Sequence, residues 1–299
     1  MKKILLICNK RSGKAYVERY VNKIIKILKK QSFEVDIKNT KINYGADQII
    51  KDYNKNVDLF LICGGDGTLS QTINGIINEN RIIPILYIPF GTTNDFAKTL
   101  KICTNKLKCV KNIKKYNKKK IDIGKFNNQY FYYVAVFGLL SDISYTTPQE
   151  DKNLYGRFAY YKQALKESKT RKVYHVKVES ENKIIEDDII YASISNSTSI
   201  AGFKWFKDGE AKLDDGEFEV ILIKKINSFI DLIKAFFTLL FKIKNEKYMY
   251  CFTTSHLKIQ CKEDVAWTLD GEFGGNVKQV IIDNQREKIE FLVKIYFLL

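Results

Sequence analysis

Residues 57–68, VDLFLICGGDGT, decide the fold of this chain. Val57–Cys63 is a mainly apolar run, which is typical of a strand covered on both faces of a parallel sheet. Gly64–Thr68 follows as a tight polar turn, and isoleucines then recur at helical spacing over 73–77. The stretch predicts a buried strand, a glycine-rich loop and a helix.

The same unit of strand, loop and helix occurs on both sides of this stretch. Lys3–Cys8 leads into a polar loop at 9–14, and Ile82–Ile88 leads into another at 89–95. Phe33–Ile37 alternates as a further strand. Strands that alternate with helices indicate a mostly parallel sheet, and ligands bind in the crevice outside the carboxyl ends of such strands. We therefore predict an N-terminal Rossmann-like α/β domain in which three polar loops converge.

The pattern changes after a Lys- and Asn-rich stretch at 106–120, and apolar residues then alternate with period two. We place a domain boundary near Ile121. Residues 1–120 then form the α/β domain, and residues 121–299 form a mainly antiparallel β-sandwich domain whose last strand can return to the N-terminal domain. The predicted strands of this second region are 121–123, Tyr130–Phe137, Lys172–Val178, Ile184–Ile194, Phe218–Ile223, Leu257–Cys261 and Val277–Ile282.

Two helical patterns interrupt those strands, at 154–168 and 228–243. The second carries a broad apolar stripe, and burial against the sheet and contact with a membrane are both open for it. It is too short and too charged to cross a membrane. The N-terminal residues 1–10 predict a strand rather than a signal peptide, because polar residues interrupt the apolar run.

The chain carries a formal net charge of +16, and lysine supplies most of it. A basic surface suits a polyanion or an anionic membrane, although biased codon composition explains the same excess. Arginine, which reads base edges best, is scarce, and no nucleic-acid-binding motif occurs. The six cysteines are spread singly, as is typical of buried thiols in a reducing cytoplasm, and two histidines, His175 and His256, do not build a zinc site.

The loop Gly64–Thr68 suits a nucleotide phosphate. Its glycines permit a close approach, and the backbone amides at the start of the following helix can point at an anion. It is not a Walker loop, and it does not complete the Gly-x-Gly-x-x-Gly pattern. Asp66 would repel a phosphate unless a cation or a hydroxyl lies there too, and Mg²⁺ bound to a nucleoside triphosphate resolves that conflict.

Gly64–Thr68 together with Pro89–Ala97, PFGTTNDFA, resembles the bacterial diacylglycerol and related lipid kinases, whose catalytic domain is similar to that of NAD kinases and phosphofructokinases. The first motif is shared across that superfamily, and the second marks the lipid-kinase branch. Asn196–Phe218 and Thr268–Gly275 match the β-rich domain of the same family, so four motifs in family order cover nearly the whole chain. The resemblance implies an ATP- and Mg²⁺-dependent kinase that converts diacylglycerol to phosphatidic acid.

By this resemblance three loops and the end of the second strand contact ATP. Phosphoryl transfer needs phosphate positioning, a metal and a group that orients or deprotonates the acceptor hydroxyl. The chain departs from the family at Lys10, where proline is usual, and at Ser70–Gln71, where Asn-Glu is common. The implied nucleotide-binding residues are Asn9, Ser12, Gly13, Thr40, Gly64, Gly65, Asp66, Gly67, Thr68, Thr92, Asn94 and Asp95.

The triplet Asp270-Gly271-Glu272 supplies the implied base. If the segment is extended, both carboxylates project to one face at i and i+2. The resemblance makes Glu272 the acceptor of the lipid hydroxyl's proton, with Asp270 beside it as support for the metal or the base, and it counts Asp66 among the catalytic acids. Asp-Gly is also a common hairpin signal, so a solvated turn is the alternative.

The stretch Lys212–Glu217, KLDDGE, predicts a turn. Relatives hold a structural Mg²⁺ at this place. The resemblance implies that the Asp215 carboxylate and main-chain oxygens of Lys212 and Glu217 bind it, an oxygen-only set that suits a hard cation.

Several alternatives stay open at this stage. The acceptor can be another lipid, such as a sphingoid base, a polyprenol or phosphatidylglycerol, whereas the form of 89–97 disfavours NAD kinase. The departures at Lys10 and Ser70–Gln71 leave a non-catalytic lipid-binding regulator as a further candidate. We expect a lipid partner at the anionic inner face of the cell membrane and no nucleic acid. Pairing with a second copy through an edge such as 288–296 is left open.

Overall fold

The protein is mixed α/β and rich in sheet, and this computed structural model divides it into two compact units. Residues 1–123 and 286–299 form unit 1, and residues 124–285 form unit 2. The structure describes residues 2–10, 12, 17–91, 94–100, 102, 105–138, 172–196, 212–226, 228, 231, 234, 235, 238 and 245–294.

Unit 1 alternates strands with helices. Its first elements are β1 Lys3–Cys8, α1 Val17–Lys30, β2 Glu34–Asn39, α2 Ala46–Asp52, β3 Leu59–Gly64, α3 Asp66–Asn78, β4 Ile85–Pro89, α4 Asp95–Thr99, α5 Lys106–Lys111 and a 3-10 turn Ile113–Lys115. The four strands run parallel in the order β4-β3-β1-β2. The predicted parallel pairing of this region is confirmed.

The core of unit 1 explains why α1 and the central strands form where they do. Apolar residues of α1 recur at helical spacing and pack on alternate residues of β1 and β3. β3 is buried along its whole length, as expected of a strand inside a parallel sheet. Gly75 in α3 lets α2 approach closely, because a Cβ there would lie 2.8 Å from the Asp47 Cα.

Unit 2 is built from antiparallel strands. In the order β11-β10-β9-β7-β12-β13, successive strands pair, and β8 pairs with β9 and β12. Trp267 lies in its core, where its ring meets the rings of Phe126 and Phe137 edge to face at 4.9 Å and 4.7 Å. The strands that follow unit 1's helices are β5 Asn117–Phe126, β6 Gln129–Phe131, β7 Val134–Gly138, β8 Tyr174–Ser180, β9 Ile184–Ser195, β10 Phe218–Lys224, β11 Met249–Thr254, β12 His256–Leu269 and β13 Glu272–Val293.

The last strand, β13, begins in unit 2 and ends in unit 1. Phe291 is the parallel partner of Ile85 in β4, and its ring meets Phe96 edge to face at 5.6 Å. The Glu290 carboxylate forms an ion pair with Lys118, with 2.8 Å between Oε2 and Nζ. The segment 288–296, considered above as an edge for a second copy, is therefore paired within the chain at Phe291.

Several predicted elements need correction. The strand expected over Tyr130–Phe137 is two strands, β6 and β7, with a bend at Tyr132 and Tyr133 between them. The strand expected from Ile82 begins at Ile85, and Ile82 itself is 90% exposed. The helices α2 and α5 and the strand β11 were not predicted from the sequence.

Two helices, over 154–168 and 228–243, were predicted in the β-rich region. Residues 154–168 lie outside the described residues, as does most of 228–243. Within the latter, Ala235 is buried in a cluster with Ile190 and Ile221 of the neighbouring strands, and Asp231 accepts a hydrogen bond from the Tyr248 hydroxyl at 3.2 Å. At Ala235 the stretch therefore packs on the sheet. No helix within the described residues has the length and apolar character needed to cross a membrane.

Candidate functional site

The loops after β1, β3 and β4 meet at the carboxyl edge of the parallel sheet in unit 1. The pairing of the strands continues past their ends, because Asn9 N donates to Cys63 O at 2.9 Å and Phe90 N donates to Gly64 O at 2.8 Å. Thr40 N donates to Cys8 O at 2.9 Å, which brings the end of β2 to the same edge. The predicted convergence of these residues is thus present within unit 1.

Two side-chain bonds tie the first loop to the glycine loop. Ser12 Oγ accepts from Gly65 N at 3.1 Å, and Asn9 Nδ2 donates to Thr68 Oγ1 at 3.1 Å. Thr68 is buried, and its carbonyl accepts from the Thr72 hydroxyl at 2.8 Å. These contacts fix the start of α3 against the loop after β1.

Close backbone packing requires the glycines at this edge. A Cβ on Gly91 would lie 3.0 Å from the Gly65 Cα and 2.8 Å from Asn94 Oδ1, and a Cβ on Gly64 would lie 2.6 Å from the Thr68 Cβ. Side chains at these positions would push the loops apart. The loops after β3 and β4 can therefore lie in contact because Gly65 and Gly91 have no side chains.

The start of α3 offers backbone donors to an anion. Gly65 is the N-cap residue and has no side chain to cap the first turn. Uncapped N–H groups and the helix dipole together favour a bound anion at the N-terminus of a 13-residue helix such as this one. This uncapped turn, crowded by Gly91 on one side, fits the phosphates of a nucleotide.

Tyr87 lies beneath this loop and was not found from the sequence. Its hydroxyl oxygen lies 3.3 Å from Gly64 O and 3.4 Å from Asn94 Oδ1, and its single proton can be donated to either of these acceptors. Burial raises the pKa of Tyr87, and the charge of Asp66 and a hydrogen bond to Asp66 raise it further. A neutral Tyr87 hydroxyl therefore links Asp66, the glycine loop and Asn94. No sequence signal separates this tyrosine from an ordinary core residue of β4.

Asn94 and Asp95 begin α4 after the third loop. Asn94 adopts the left-handed conformation with φ of 47°, and its Nδ2 donates to Gly91 O. Asn tolerates this region better than most residues, which explains its place at this turn. Only the backbone of Asp95 is described, and Gly13 and Thr92 lie outside the described residues, so their predicted roles stay predictions.

Gln71, one of the departures from the family pattern, has a structural contact. Its Oε1 accepts from Ala46 N at 3.1 Å, at the first residue of α2. It thereby supplies the cap that Gly45, the N-cap residue of α2, does not.

Two cysteines end the strands beneath the site. Burial raises the pKa of Cys8 to about 11 and raises that of Cys63. Both thiols are buried and stay protonated at neutral pH, and their burial was predicted from the sequence. Cys251 and Cys261, by contrast, are half-buried rather than buried.

The Asp270-Gly271 pair is a two-residue hairpin turn, so the extended segment assumed above is wrong. Leu269 pairs with Glu272 across the turn, and Asp270 and Gly271 have φ of 53° and 91°. Both values are positive, as the turn between such strands requires. The carboxylates of Asp270 and Glu272 consequently do not share one face of an extended strand.

The Asp270 carboxylate anchors the turn to the bend between β6 and β7. It accepts from the backbone N–H groups of Tyr132, Tyr133 and Val134, each at 2.9 Å, and Asp270 N donates to Val134 O at 2.8 Å. Asp270 is 9% exposed. Both of its oxygens are therefore engaged in holding the backbone.

Glu272 emerges from this anchored turn at the start of β13. Its side chain is exposed, and among the described residues no ion pair engages its carboxylate. Phe273 beside it is 58% exposed. An exposed carboxylate can accept a proton from a hydroxyl group.

The implied metal loop is a short turn in unit 2. Asp215 Oδ1 accepts from Glu217 N at 3.2 Å, and Gly216 has φ of 83°. Among the described residues there is no cluster of three His, Cys, Asp or Glu side chains suited to a metal. The implied set does not need such a cluster, because one carboxylate and the main-chain oxygens of Lys212 and Glu217 supply it. An oxygen-only set fits Mg²⁺ chemically.

Comparison with known proteins identifies the family. The model of the diacylglycerol kinase catalytic domain family matches residues 3–126. A diacylglycerol kinase of Staphylococcus epidermidis is 31% identical over 280 residues, which are 92% of this chain and 87% of the relative. One of Staphylococcus carnosus is 30% identical over 293 residues, which are 97% of this chain and 94% of the relative.

A solved structure agrees with these relatives. The crystal structure of a candidate diacylglycerol kinase from Bacillus anthracis matches with a TM-score of 0.82 and 26% identity, over 98% of this chain and 95% of that one. Likeness over nearly the whole length of each protein covers both units. The chain therefore belongs to the bacterial diacylglycerol kinase family and is a lipid kinase.

Proposed function

We propose that this protein transfers the γ-phosphate of ATP to a primary hydroxyl of a membrane lipid, with diacylglycerol as the acceptor and phosphatidic acid as the product. Membership of a kinase family implies the use of ATP. The observation that carries the proposal is the joint contact of Ser12, Gly65 and Gly91 at the uncapped start of α3. That arrangement suits a triphosphate.

Different groups of this chain are proposed to position the phosphates and the cations. We infer that the amides of the first turn of α3 and the hydroxyls of Ser12 and Thr68 bind the phosphates. Bound Mg²⁺ would neutralise phosphate charge. Asp66, held next to Tyr87, would carry that cation in the active site, and Asp215 with the main-chain oxygens of Lys212 and Glu217 would hold a structural one.

Glu272 is the proposed acceptor of the hydroxyl proton. Its exposure and the rigid turn below it support this assignment. Asp270 then serves by fixing the turn, and its predicted contact with a metal or with the base stays a prediction. The proposal also retains a Rossmann-like first domain and a β-sandwich second domain.

The proposed location is the cytoplasmic face of an anionic membrane. The charge of +16 supports it, because each surface cation contributes about 1 kcal/mol of attraction to such a surface. We expect binding to anionic vesicles that weakens as salt rises. Equal binding to anionic and neutral vesicles at low salt would contradict this part of the proposal.

A kinase assay with a set of acceptors tests the function. The full chain is incubated with Mg²⁺, radiolabelled ATP and vesicles that contain diacylglycerol, a sphingoid base, a polyprenol or additional phosphatidylglycerol, and the products are separated by chromatography. We expect label in phosphatidic acid, and loss of that label in Asp66→Asn. Label in another lipid would reassign the acceptor. Label in NADP alone, in a parallel incubation that contains NAD, would overturn the lipid assignment. No transfer to any acceptor would favour a non-catalytic regulator.

A further inference from the structure

A cavity of about 730 Å³ lies in unit 1 between α1, the loop after β4 and the start of α5. Its described lining contains three cationic side chains and no acidic one. Arg19 and Lys23 come from α1, and Lys106 comes from α5. Ser12, Gly91 and Asn94 of the nucleotide site also line this cavity, so the cavity adjoins that site.

The ammonium group of Lys106 is held within this cavity by two aromatic rings. Its Nζ lies 5.0 Å from the centroid of Phe90 and 5.7 Å from that of Tyr20. The two rings meet edge to face at 5.9 Å. A cation over ring faces is attracted by their negative charge density, so Lys106 is kept inside the cavity rather than extended into solvent.

The positive charge of the cavity is not balanced by a described carboxylate. Arg19 and Lys23 are one helical turn apart, where like charges repel. The neighbouring acid on α1, Glu18, is paired instead with Lys10 at 2.9 Å, and that hydrogen bond lowers the pKa of Glu18. No described acid forms an ion pair with any of the three cations. A bound anion would relieve this repulsion.

We propose that the cavity is a second anion site, which takes a phosphate monoester and is separate from the triphosphate loop at Gly65. Arg19 can bind phosphate oxygens in a bidentate manner, and Lys23 and Lys106 act as point charges. Phe90 and Val17 give the cavity an apolar wall beside these charges. A free phosphate and the phosphate headgroup of a lipid share the required chemistry. The site does not depend on phosphoryl transfer by this protein.

Calorimetric titration of the full chain tests the site. The probes are inorganic phosphate and dihexanoyl phosphatidic acid, each added with and without saturating Mg²⁺ and a non-hydrolysable ATP analogue. We expect both probes to bind whether or not the analogue is present. Lys23→Ala and Lys106→Met should each weaken binding about tenfold, the effect of one lost hydrogen bond between charged groups. Tighter binding of the short-chain lipid would identify a headgroup site, and equal affinities would identify a free-phosphate site.

Matched variants separate this site from general surface charge. Lys26→Ala on α1 and Lys108→Met on α5 remove exposed lysines outside the cavity and should leave the affinity unchanged. Lys106→Arg keeps the charge and should restore most of the binding, which also covers a folding failure of Lys106→Met. Equal losses in the control variants, displacement of the probes by the ATP analogue, or no binding of either probe would overturn the proposal. Loss of kinase activity with intact phosphate binding would instead contradict only the proposed function.

Discussion

The phosphate loops of unit 1 and the acidic turn of unit 2 hold their groups in opposite ways. In unit 1, Gly65 and Gly91 bring two loops into backbone contact, so the site depends on side chains that are missing. In unit 2, Asp270 accepts three backbone hydrogen bonds, so the turn that bears Glu272 depends on a charge that is present.

This difference teaches where each region is vulnerable. A close-packed loop fails when an atom is added, because the neighbouring backbone must then move away. A charge-anchored turn fails when its acceptor is removed, because three backbone donors then lose a strong partner. Substitutions of opposite kinds should therefore affect the two regions selectively.

The largest effect on activity is expected at Glu272, which follows the turn and is not the residue that anchors it. Glu272→Gln should lower the rate of lipid phosphorylation by about 10²–10⁴-fold, because the amide cannot accept the hydroxyl proton. The melting temperature should stay the same, since the side chain is exposed. Initial rates with radiolabelled ATP measure the effect, and Glu263→Gln, an exposed acid on β12, is the control. A rate near that of the wild type would remove Glu272 as the base.

The second prediction concerns Asp270, whose carboxylate anchors the turn. Asp270→Asn should lower the free energy of unfolding by about 2–3 kcal/mol, because hydrogen bonds to a charged acceptor contribute about 1.5–3 kcal/mol each and one amide face now opposes a donor. Asn tolerates the positive φ of this position, so the change isolates the charge.

Urea denaturation without Mg²⁺ measures this loss, with Asp264→Asn on the exposed face of β12 as the control. A loss of stability that appears only when Mg²⁺ is present would instead show that Asp270 supports a metal.

Two glycine substitutions compare the regions directly. Gly91→Ala places a Cβ 3.0 Å from the Gly65 Cα, so we expect about a tenfold weaker affinity for an ATP analogue. Gly271→Ala meets nothing within 4 Å but keeps φ of +91°, so it should cost about 1 kcal/mol of stability and leave nucleotide affinity unchanged. Calorimetry and urea denaturation measure the two effects. An unchanged affinity in Gly91→Ala would show that close loop contact is not needed for nucleotide binding.

The sequence predicted the architecture of unit 1 because its signals are local. The apolar run before Gly64 and the helical spacing after it depend on neighbours in the chain, and the pairing of β1 with β3 follows from them. The short helix α2 was missed because its first amide is capped by Gln71, which lies 25 residues further along the chain.

The role of Asp270 could not be predicted from the Asp-Gly motif. The motif is compatible with an extended pair of carboxylates and with a turn, and only the backbone donors at 132–134, which are distant in sequence, select the turn. Tyr87 was missed for a related reason. A tyrosine in an apolar strand has the same pattern whether its hydroxyl is buried against a loop or reaches solvent.

The smallest effect is expected for Tyr87→Phe, which tests the hydroxyl beneath the glycine loop of unit 1. At pH 8 the loss of the hydroxyl should lower the free energy of unfolding by about 1 kcal/mol, the net contribution of one buried hydrogen bond. The pKa of Tyr87 is raised in the folded protein by burial and by Asp66, so the unfolded tyrosine ionises first, near pH 10. Ionisation then favours the unfolded wild type, and its stability falls as the pH rises above 10.

The variant lacks this ionisable group, so the difference of about 1 kcal/mol between the two proteins should pass through zero and change sign by pH 11, where ionisation of the unfolded wild type offsets it by about 1.4 kcal/mol. Urea denaturation at pH 8 and pH 11 measures it, with Tyr130→Phe as the control, because that half-buried tyrosine belongs to β6 in unit 2. A difference that stays constant with pH would show that the Tyr87 hydroxyl is not held neutral beneath the glycine loop. The contact between the loops after β3 and β4 would then depend on their backbone atoms alone.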